Sequence, residues 1–347
     1  IPALDGSQLT GVTEFTTSTS DPAIDTNPAG GVGSLWYNKT GGEMYCCTDA
    51  TAGANIWTNV GAGSGDVKTW QYGGTQYGYT SAGGYPVTNI IEKFSFTSDG
   101  NSTDIGDMTQ GRNLAAGNSG PAFGYMSGGG NPNSNVIDKF SFTVDGNATD
   151  VGDLTRTMGY VSGASSETFG YTLGGTSSDV IDKFSFSTDG NATDVGNLSV
   201  AYAMPFGNSS GDNGYATHDS TMDKISFSSD GNATDVGGLP ASEGGSGSAQ
   251  SSLTHGYCSG GNGASAVSRQ INKFSFATNG TATDVGDLLG IKAYTAGQSS
   301  ETYGYSCGGD NTGSNIIEKF SFSTDGNATD VGDMTRTNSA YVCGQNY

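Results

Sequence analysis

One phrase recurs six times along this chain, and an internal repeat restricts the fold more than any other feature. It reads IIEKFSFTSDGNSTDIGDMT from Ile90, VIDKFSFTVDGNATDVGDLT from Val136 and VIDKFSFSTDGNATDVGNLS from Val180. It returns as MDKISFSSDGNATDVGGLP from Met222, INKFSFATNGTATDVGDLL from Ile271 and IIEKFSFSTDGNATDVGDMT from Ile316. Its lysines, Lys93, Lys139, Lys183, Lys224, Lys273 and Lys319, are spaced 46, 44, 41, 49 and 46 residues apart. A Gly-Tyr pair precedes each copy, from Gly78-Tyr79 to Gly304-Tyr305, and all but the fourth run on into Gly-Gly.

Within a unit the local signals are those of β-structure. Phe140-Ser141-Phe142 alternates with period two between turn residues. Asp145-Gly146-Asn147 offers residues that tolerate positive φ, as a tight hairpin requires. A helix is excluded, because no 3.6-residue apolar period survives this density of glycine: 58 of 347 residues, about 17% against an ordinary 7%. Each unit reads as four strands: a of small residues, b at Gly-Tyr, c at Phe-Ser-Phe and d at Ala-Thr-Asp-Val-Gly. Six such units predict an all-β fold, a six-bladed β-propeller of four-stranded blades. The last ten residues match strand a of a following unit. Residues 338–344 are therefore expected to lie innermost in the blade containing Phe94, closing the ring and removing an edge. Residues 67–72 are the rival for that place.

The order Gly-Tyr-x-x-Gly-Gly, loop, aromatic strand, turn, short strand and then Arg (Arg112, Arg156, Arg336) resembles the kelch repeat. The resemblance covers residues 67–347 and departs where kelch repeats carry Trp on strand d, since Val151 or Ile105 stands there. Residues 1–65 carry none of the repeat. Residues 33–47 read as a hairpin, 55–60 as a third strand and 61–65 as a flexible Gly-rich linker. The phrases ALDGSQLTGV from Ala3, LWYN from Leu35 and TDATAGANIWT from Thr48 resemble modules of bacteriophage tail fibres. That resemblance implies an attachment module over 1–65 carrying the propeller of 66–347, on a virion appendage that is often a homotrimer and joins other virion proteins.

Composition removes several functions. Lys plus Arg number 13 against 34 Asp plus Glu, a net charge of −21, so nucleic acid and anionic membrane surfaces are poor partners. No apolar run is long enough for membrane insertion. Cys46, Cys47, Cys258, Cys307 and Cys343 read as small core residues rather than ligands, and two histidines, His218 and His255, cannot complete a zinc set. No metal or cofactor is expected. The Asp-Gly-Asn phrase clusters oxygens as calcium requires, yet its spacing is not that of a calcium loop and a turn accounts for it. Nine Asn-x-Ser/Thr sequons occur, five of them in the repeated turn, so repetition explains most of them. His218, His255 and Arg269 break the repeat but lie in different units with no partner motif, so neither an enzyme nor any catalytic residue is expected.

Acid–lysine neighbours on strand c (Asp138-Lys139, Asp182-Lys183, Glu318-Lys319) point to opposite sheet faces. In most copies the lysine is expected to meet a carboxylate of a neighbouring blade, with a weaker link at copy five, where Asn272 replaces the acid. The a–b and c–d connections lie on one face and are monotonous, whereas the b–c loops on the other face carry nearly all differences between copies. Tyr85, Asn131, His218, Arg269 and Asn311 are therefore the expected receptor-contacting residues, on the face away from the N-terminal module. The function expected is host cell-surface receptor binding, of a glycan or protein, by a virion or extracellular protein. The alternative is a purely structural decoration.

Overall fold

The computed structural model describes residues 15–60, 72–240, 244–262, 267–309, 315–337 and 339–347, and among them no helix occurs. The chain divides into two compact units, Ile1–Thr69 and Trp70–Tyr347. Seven four-stranded sheets are present rather than six, because the first unit forms one of its own.

That sheet runs β1 (Phe15–Ser18), β2 (Leu35–Asn38), β3 (Met44–Asp49) and β4 (Ile56–Asn59), with β1 parallel to β2. The expected hairpin and third strand are β2 to β4. Strand β1 is an addition that the sequence did not signal, being four residues of Phe-Thr-Thr-Ser held on an edge. Trp36 and Trp57 pack edge to face at 5.8 Å, and their indole N–H groups donate to Ser20 and Thr26 carbonyls.

In the second unit β5 (Tyr77–Gly83), β6 (Thr88–Ser95) and β7 (Thr103–Asp107) begin sheet 1. Sheet 2 is β8 (Ala116–Ser119), β9 (Phe123–Ser127), β10 (Val136–Ser141) and β11 (Thr149–Asp153). Sheet 3 is β12 (Ser162–Ser165), β13 (Phe169–Leu173), β14 (Val180–Ser185) and β15 (Thr193–Asn197). Sheet 4 is β16 (Phe206–Ser209), β17 (Asn213–His218), β18 (Thr221–Ser226) and a short β19 (Thr234–Asp235). Sheet 5 is β20 (Ser248–Ser251), β21 (His255–Asn262), β22 (Val267–Ser275) and β23 (Thr283–Asp287). Sheet 6 is β24 (Ala296–Ser299), β25 (Tyr303–Cys307), β26 (Ile316–Ser321) and β27 (Thr329–Asp333). The last strand, β28 (Cys343–Asn346), completes sheet 1 by pairing antiparallel with β5, Cys343 opposite Ser81 and Gln345 opposite Tyr79. Residues 343–346 thus hold the place expected for the C-terminal segment. Of its rival only Tyr72 is described, and its carbonyl accepts from Asn346 Nδ2, beside β28 rather than in place of it.

The repeated residues are a packing device between sheets. Gly124 leaves room for a ring: a Cβ there would lie 2.3 Å from Phe140 Cζ. The neighbouring Tyr125 stacks at 4.8 Å on Phe186 of the next sheet, and its hydroxyl donates to the Phe186 carbonyl at 3.4 Å. Such an amphipathic ring buries area while its polar tip finds a partner. At the first strands, Gly117 approaches the Gly344 carbonyl and Gly163 that of Gly117, so an added Cβ would stand 2.3 and 2.1 Å away. First strands neighbour one another in the order β8, β12, β16, β20, β24, β28 and back to β8.

Two expectations are corrected. The Asp-Gly-Asn segments are not tight hairpins: β10 and β11 are linked by residues 142–148, and Asn147 is not left-handed. The side chains explain the phrase instead, because Asn147 Oδ1 accepts the Asp107 N–H of the preceding sheet at 3.0 Å. The strand-c lysines do meet carboxylates of the next sheet, but of these turns and not of strand c. Lys93 pairs with Asp145, Lys139 with Asp189, Lys183 with Asp230, Lys273 with Asp325 and Lys319 with Asp99, at 2.6–2.9 Å. The strand-c acids face inward and meet the connector that enters their own sheet. Asp138 binds buried Arg112 at 2.9 Å, Glu318 binds Lys292 at 2.7 Å and Glu92 binds Arg336 at 2.9 Å. The missing lysine link is accordingly that of Lys224, and residue 279, not 272, accounts for it.

Candidate functional site

Each connector into a first strand ends in a residue with left-handed backbone. These are Leu114, Tyr160, Met204, Ser246, Tyr294 and Tyr341, at φ 58, 63, 50, 67, 59 and 63°. The conformation costs a non-glycine residue about 1–2 kcal/mol, and here it closes a cycle of main-chain hydrogen bonds. Tyr160 N–H donates to the Leu114 carbonyl at 2.9 Å, Met204 to Tyr160 at 2.6 Å, Ser246 to Met204 at 2.8 Å, and Tyr294 to Ser246. Tyr341 donates to Tyr294 at 2.8 Å and Leu114 back to Tyr341 at 3.4 Å. The cycle needs the backbone at all six places but not aromatic side chains, since Leu, Met and Ser serve at three of them. Tyr160, Tyr294 and Tyr341 are therefore surplus to its demands.

The residue following each member of the cycle lines one narrow cavity: Ala115, Val161, Pro205, Gly247, Thr295 and Val342. The cavity has about 70 Å³ of room for water-sized molecules, with Tyr72 also in its wall. At roughly 10–15 Å³ for each water that is space for a handful of waters, too little for a sugar ring. A ligand at this end of the unit therefore sits on the mouth. Tyr294 and Tyr341 hold their rings 4.3 Å apart at 34°, Asn262 Nδ2 donates to the Tyr294 hydroxyl at 3.4 Å, and Tyr160 is 39% exposed.

Four of the five residues expected from the sequence belong to four different sheets or their turns; Asn311 lies outside the described residues. Tyr85, 69% exposed, begins a cis bond to Pro86 in the β5–β6 turn, where Gly84 N–H donates to the Ala340 carbonyl beside Tyr341. Asn131, at φ 53°, precedes cis-Pro132 and donates from Nδ2 to Asn113 Oδ1 at 3.2 Å, next to Leu114. His218 is not in a loop but ends β17; it stacks on Tyr202 at 5.3 Å and 12°, and its Nδ1 lies 3.2 Å from Asp219. Burial, and then nearby Asp223, raises the Tyr202 hydroxyl pKa. Arg269 lies within β22, because the hairpin extends past the expected loop, and its Nε is 3.4 Å from Asp287 Oδ1. The structure thus distributes these residues over four sheets.

The three mouth tyrosines escaped the sequence reading. The signal was available: three positions before each channel residue (Gly117, Gly163, Gly207, Ala249, Gly297, Gly344) the repeat carries Leu, Tyr, Met, Ser, Tyr and Tyr. Among the described residues no group of three His, Cys, Asp or Glu is placed to hold a metal ion. No known protein-family profile matches the chain, and no curated protein matches it in sequence.

Proposed function

We propose that residues 66–347 form a closed six-bladed, kelch-like β-propeller, and that it is the receptor-binding head of a bacteriophage tail-fibre-type virion appendage. Its ligand is a host cell-surface glycan held on the mouth ringed by Tyr160, Tyr294 and Tyr341. The single observation carrying this reading is the mouth cycle, where three of six strained positions hold aromatic rings that the backbone does not require. Tyrosine suits sugars because it offers an apolar face with a hydroxyl at its edge. The net charge of −21 disfavours polyanionic ligands. Closure of the propeller is supported by β28 and by the order of first strands that returns to β8. Residues 1–65 act as the attachment module to other virion proteins, and the protein works as a binder in an extracellular setting without catalysis.

A structural decoration without ligand is the second reading, favoured by brevity: β17 and β18 are joined by Asp219 and Ser220 alone. A glycan array probed with the purified second unit distinguishes them. Binding abolished by replacing Tyr294 and Tyr341 with Ala supports the receptor head; a blank array together with unchanged host adsorption of the same variant supports decoration.

A further inference from the structure

Two links repeated between sheets are both absent at one junction, that of sheets 4 and 5. The lysine link is missing because Asn279 stands where the other turns carry Asp99, Asp145, Asp189, Asp230 and Asp325. Lys224, alone among the strand-c lysines, has no carboxylate of the described residues within 4 Å. The asparagine link, made elsewhere as Asn191 Oδ1 to Asp153 N–H or Asn327 Oδ1 to Asp287 N–H, is lost, because Thr281 and Gly238 stand at the aligned positions. The buried acid is replaced by Asn272, and the chain from 236 to 247 carries no Lys or Arg to meet one.

The turn itself also differs. Asn279 is the one member of its aligned set with left-handed backbone, φ 54°, and its side-chain oxygen is buried without a hydrogen-bond partner. It is followed by Gly280, which has no side chain to hinder attack by its own amide nitrogen. In every other copy the Asp precedes the turn glycine and the Asn precedes Ala or Ser, so Asn-Gly occurs in this turn once.

We propose that Asn279 is a deamidation site, and that its aspartate product supplies the sixth carboxylate to Lys224. Gly280 N attacks Asn279 Cγ, forming an N–C bond and releasing Nδ2 as ammonia with the amide proton. Water then adds to the resulting imide and breaks the new bond at Cγ, returning a proton to Gly280 N and leaving a side-chain carboxylate. The net change is amide plus water to carboxylate plus ammonia, with no other reactant. The Gly280 N–H donates to the Val236 carbonyl at 2.9 Å, so attack requires this contact to open. Opening is easiest at the junction that lacks the repeated links and whose β19 is only two residues long.

The test uses the full chain aged in mildly alkaline buffer, digested and followed by peptide mass spectrometry. Asn147, Asn191, Asn232 and Asn327, each followed by Ala, are controls within the molecule. The expected result is acid in place of amide at residue 279 severalfold faster than at any of the four. Equal rates overturn the proposal. Separately, Asn279→Asp should raise Tm by up to about 3 °C, as one exposed ion pair does in a unit of this size. The gain should vanish when Lys224 is also replaced by Met. A gain that persists without Lys224, or no gain at all, removes Lys224 as the product's partner.

Discussion

Lys319 donates to Asp99 at 2.6 Å across 220 positions of sequence, joining sheet 6 to sheet 1 by the same contact that joins sheet 1 to sheet 2 through Lys93 and Asp145. A contact repeated so regularly invites credit for holding the sheets together, but its setting argues otherwise. The aspartate side chain is 53% exposed, and pairs of that kind contribute about 0–1 kcal/mol. A double-mutant cycle of Lys319→Met and Asp99→Asn should give a coupling of at most about 1 kcal/mol, shrinking with added salt. A coupling of several kcal/mol that ignores salt would mean the pair does more than tether a surface turn.

Close backbone approach at the first strands should matter far more. A Cβ on Gly344 would stand 2.1 Å from the Gly297 carbonyl, and both atoms belong to backbone held by neighbours. Gly344→Val is expected to cost at least about 1–3 kcal/mol, the range for overpacking a tight interior. Gly146→Ala is the control, having nothing within 4 Å of the new atom. Chemical denaturation of the two variants decides the matter, and similar losses in both would refute the close-approach argument.

The inward-facing acids form a second class of ion pair with different energetics. Arg112 and Asp138 are both fully buried, and Arg112 also donates to the Met126 carbonyl. Replacing Arg112 with Met leaves a buried carboxylate without its cation and should cost about 3–5 kcal/mol. Adding Asp138→Asn should recover much of that loss. Failure of the double variant to recover any stability would show that the arginine acts through packing alone.

Two of these acids should respond to pH in opposite directions. At Glu92 burial raises the pKa, but the Arg336 guanidinium and the bonds from Thr335 outweigh it and hold the carboxyl below its ordinary value of about 4.3. Its contribution is therefore present above that value and lost as pH falls through the lower native one. At Asp182 burial dominates the bonds from Thr155 and the more distant Arg156, and the carboxyl is raised. Its contribution is greatest at low pH and is lost as pH rises through the native value. Carboxyl NMR titration of the folded protein should find Glu92 below its ordinary value and Asp182 above its own. A Glu92 midpoint at or above the ordinary value would discount the guanidinium there.

Much of this arrangement was written in the repeat. Period-two Phe-Ser-Phe and the glycines around it specify strands, and the stray 338–344 segment specifies where the chain ends. What stayed hidden were partners set by geometry across sheets. Asp138 and Lys139 are adjacent, so the sequence suggests one ring of pairs. The strand turns them to opposite faces, one toward Arg112 on a connector and the other toward Asp189 fifty residues on. The mouth tyrosines were hidden for another reason. Their shared property is backbone conformation, which Leu114, Met204 and Ser246 adopt equally, so only their fixed place in the repeat, and not a residue type, marks the site.

That shared backbone is what makes the mouth testable. Because Leu, Met and Ser already serve in the cycle, replacing Tyr160, Tyr294 and Tyr341 by Leu should leave the main-chain hydrogen bonds intact and alter Tm by only a few degrees. Tyr294 and Tyr341 lose their ring contact, worth about 0.5–1.5 kcal/mol, and Tyr294 loses the hydrogen bond from Asn262. If the mouth binds a glycan by stacking, the triple variant should lose at least tenfold in affinity on a glycan array and in host adsorption. A companion variant carrying Tyr85→Ala, Asn131→Ala, His218→Ala and Arg269→Ala tests the four residues outside the cycle. These lie farther from the cycle and should change which glycans are selected more than how tightly any is held. Loss of folding in the triple variant would show that the rings serve the backbone. Full binding in both folded variants would leave the mouth without a ligand and favour the structural reading.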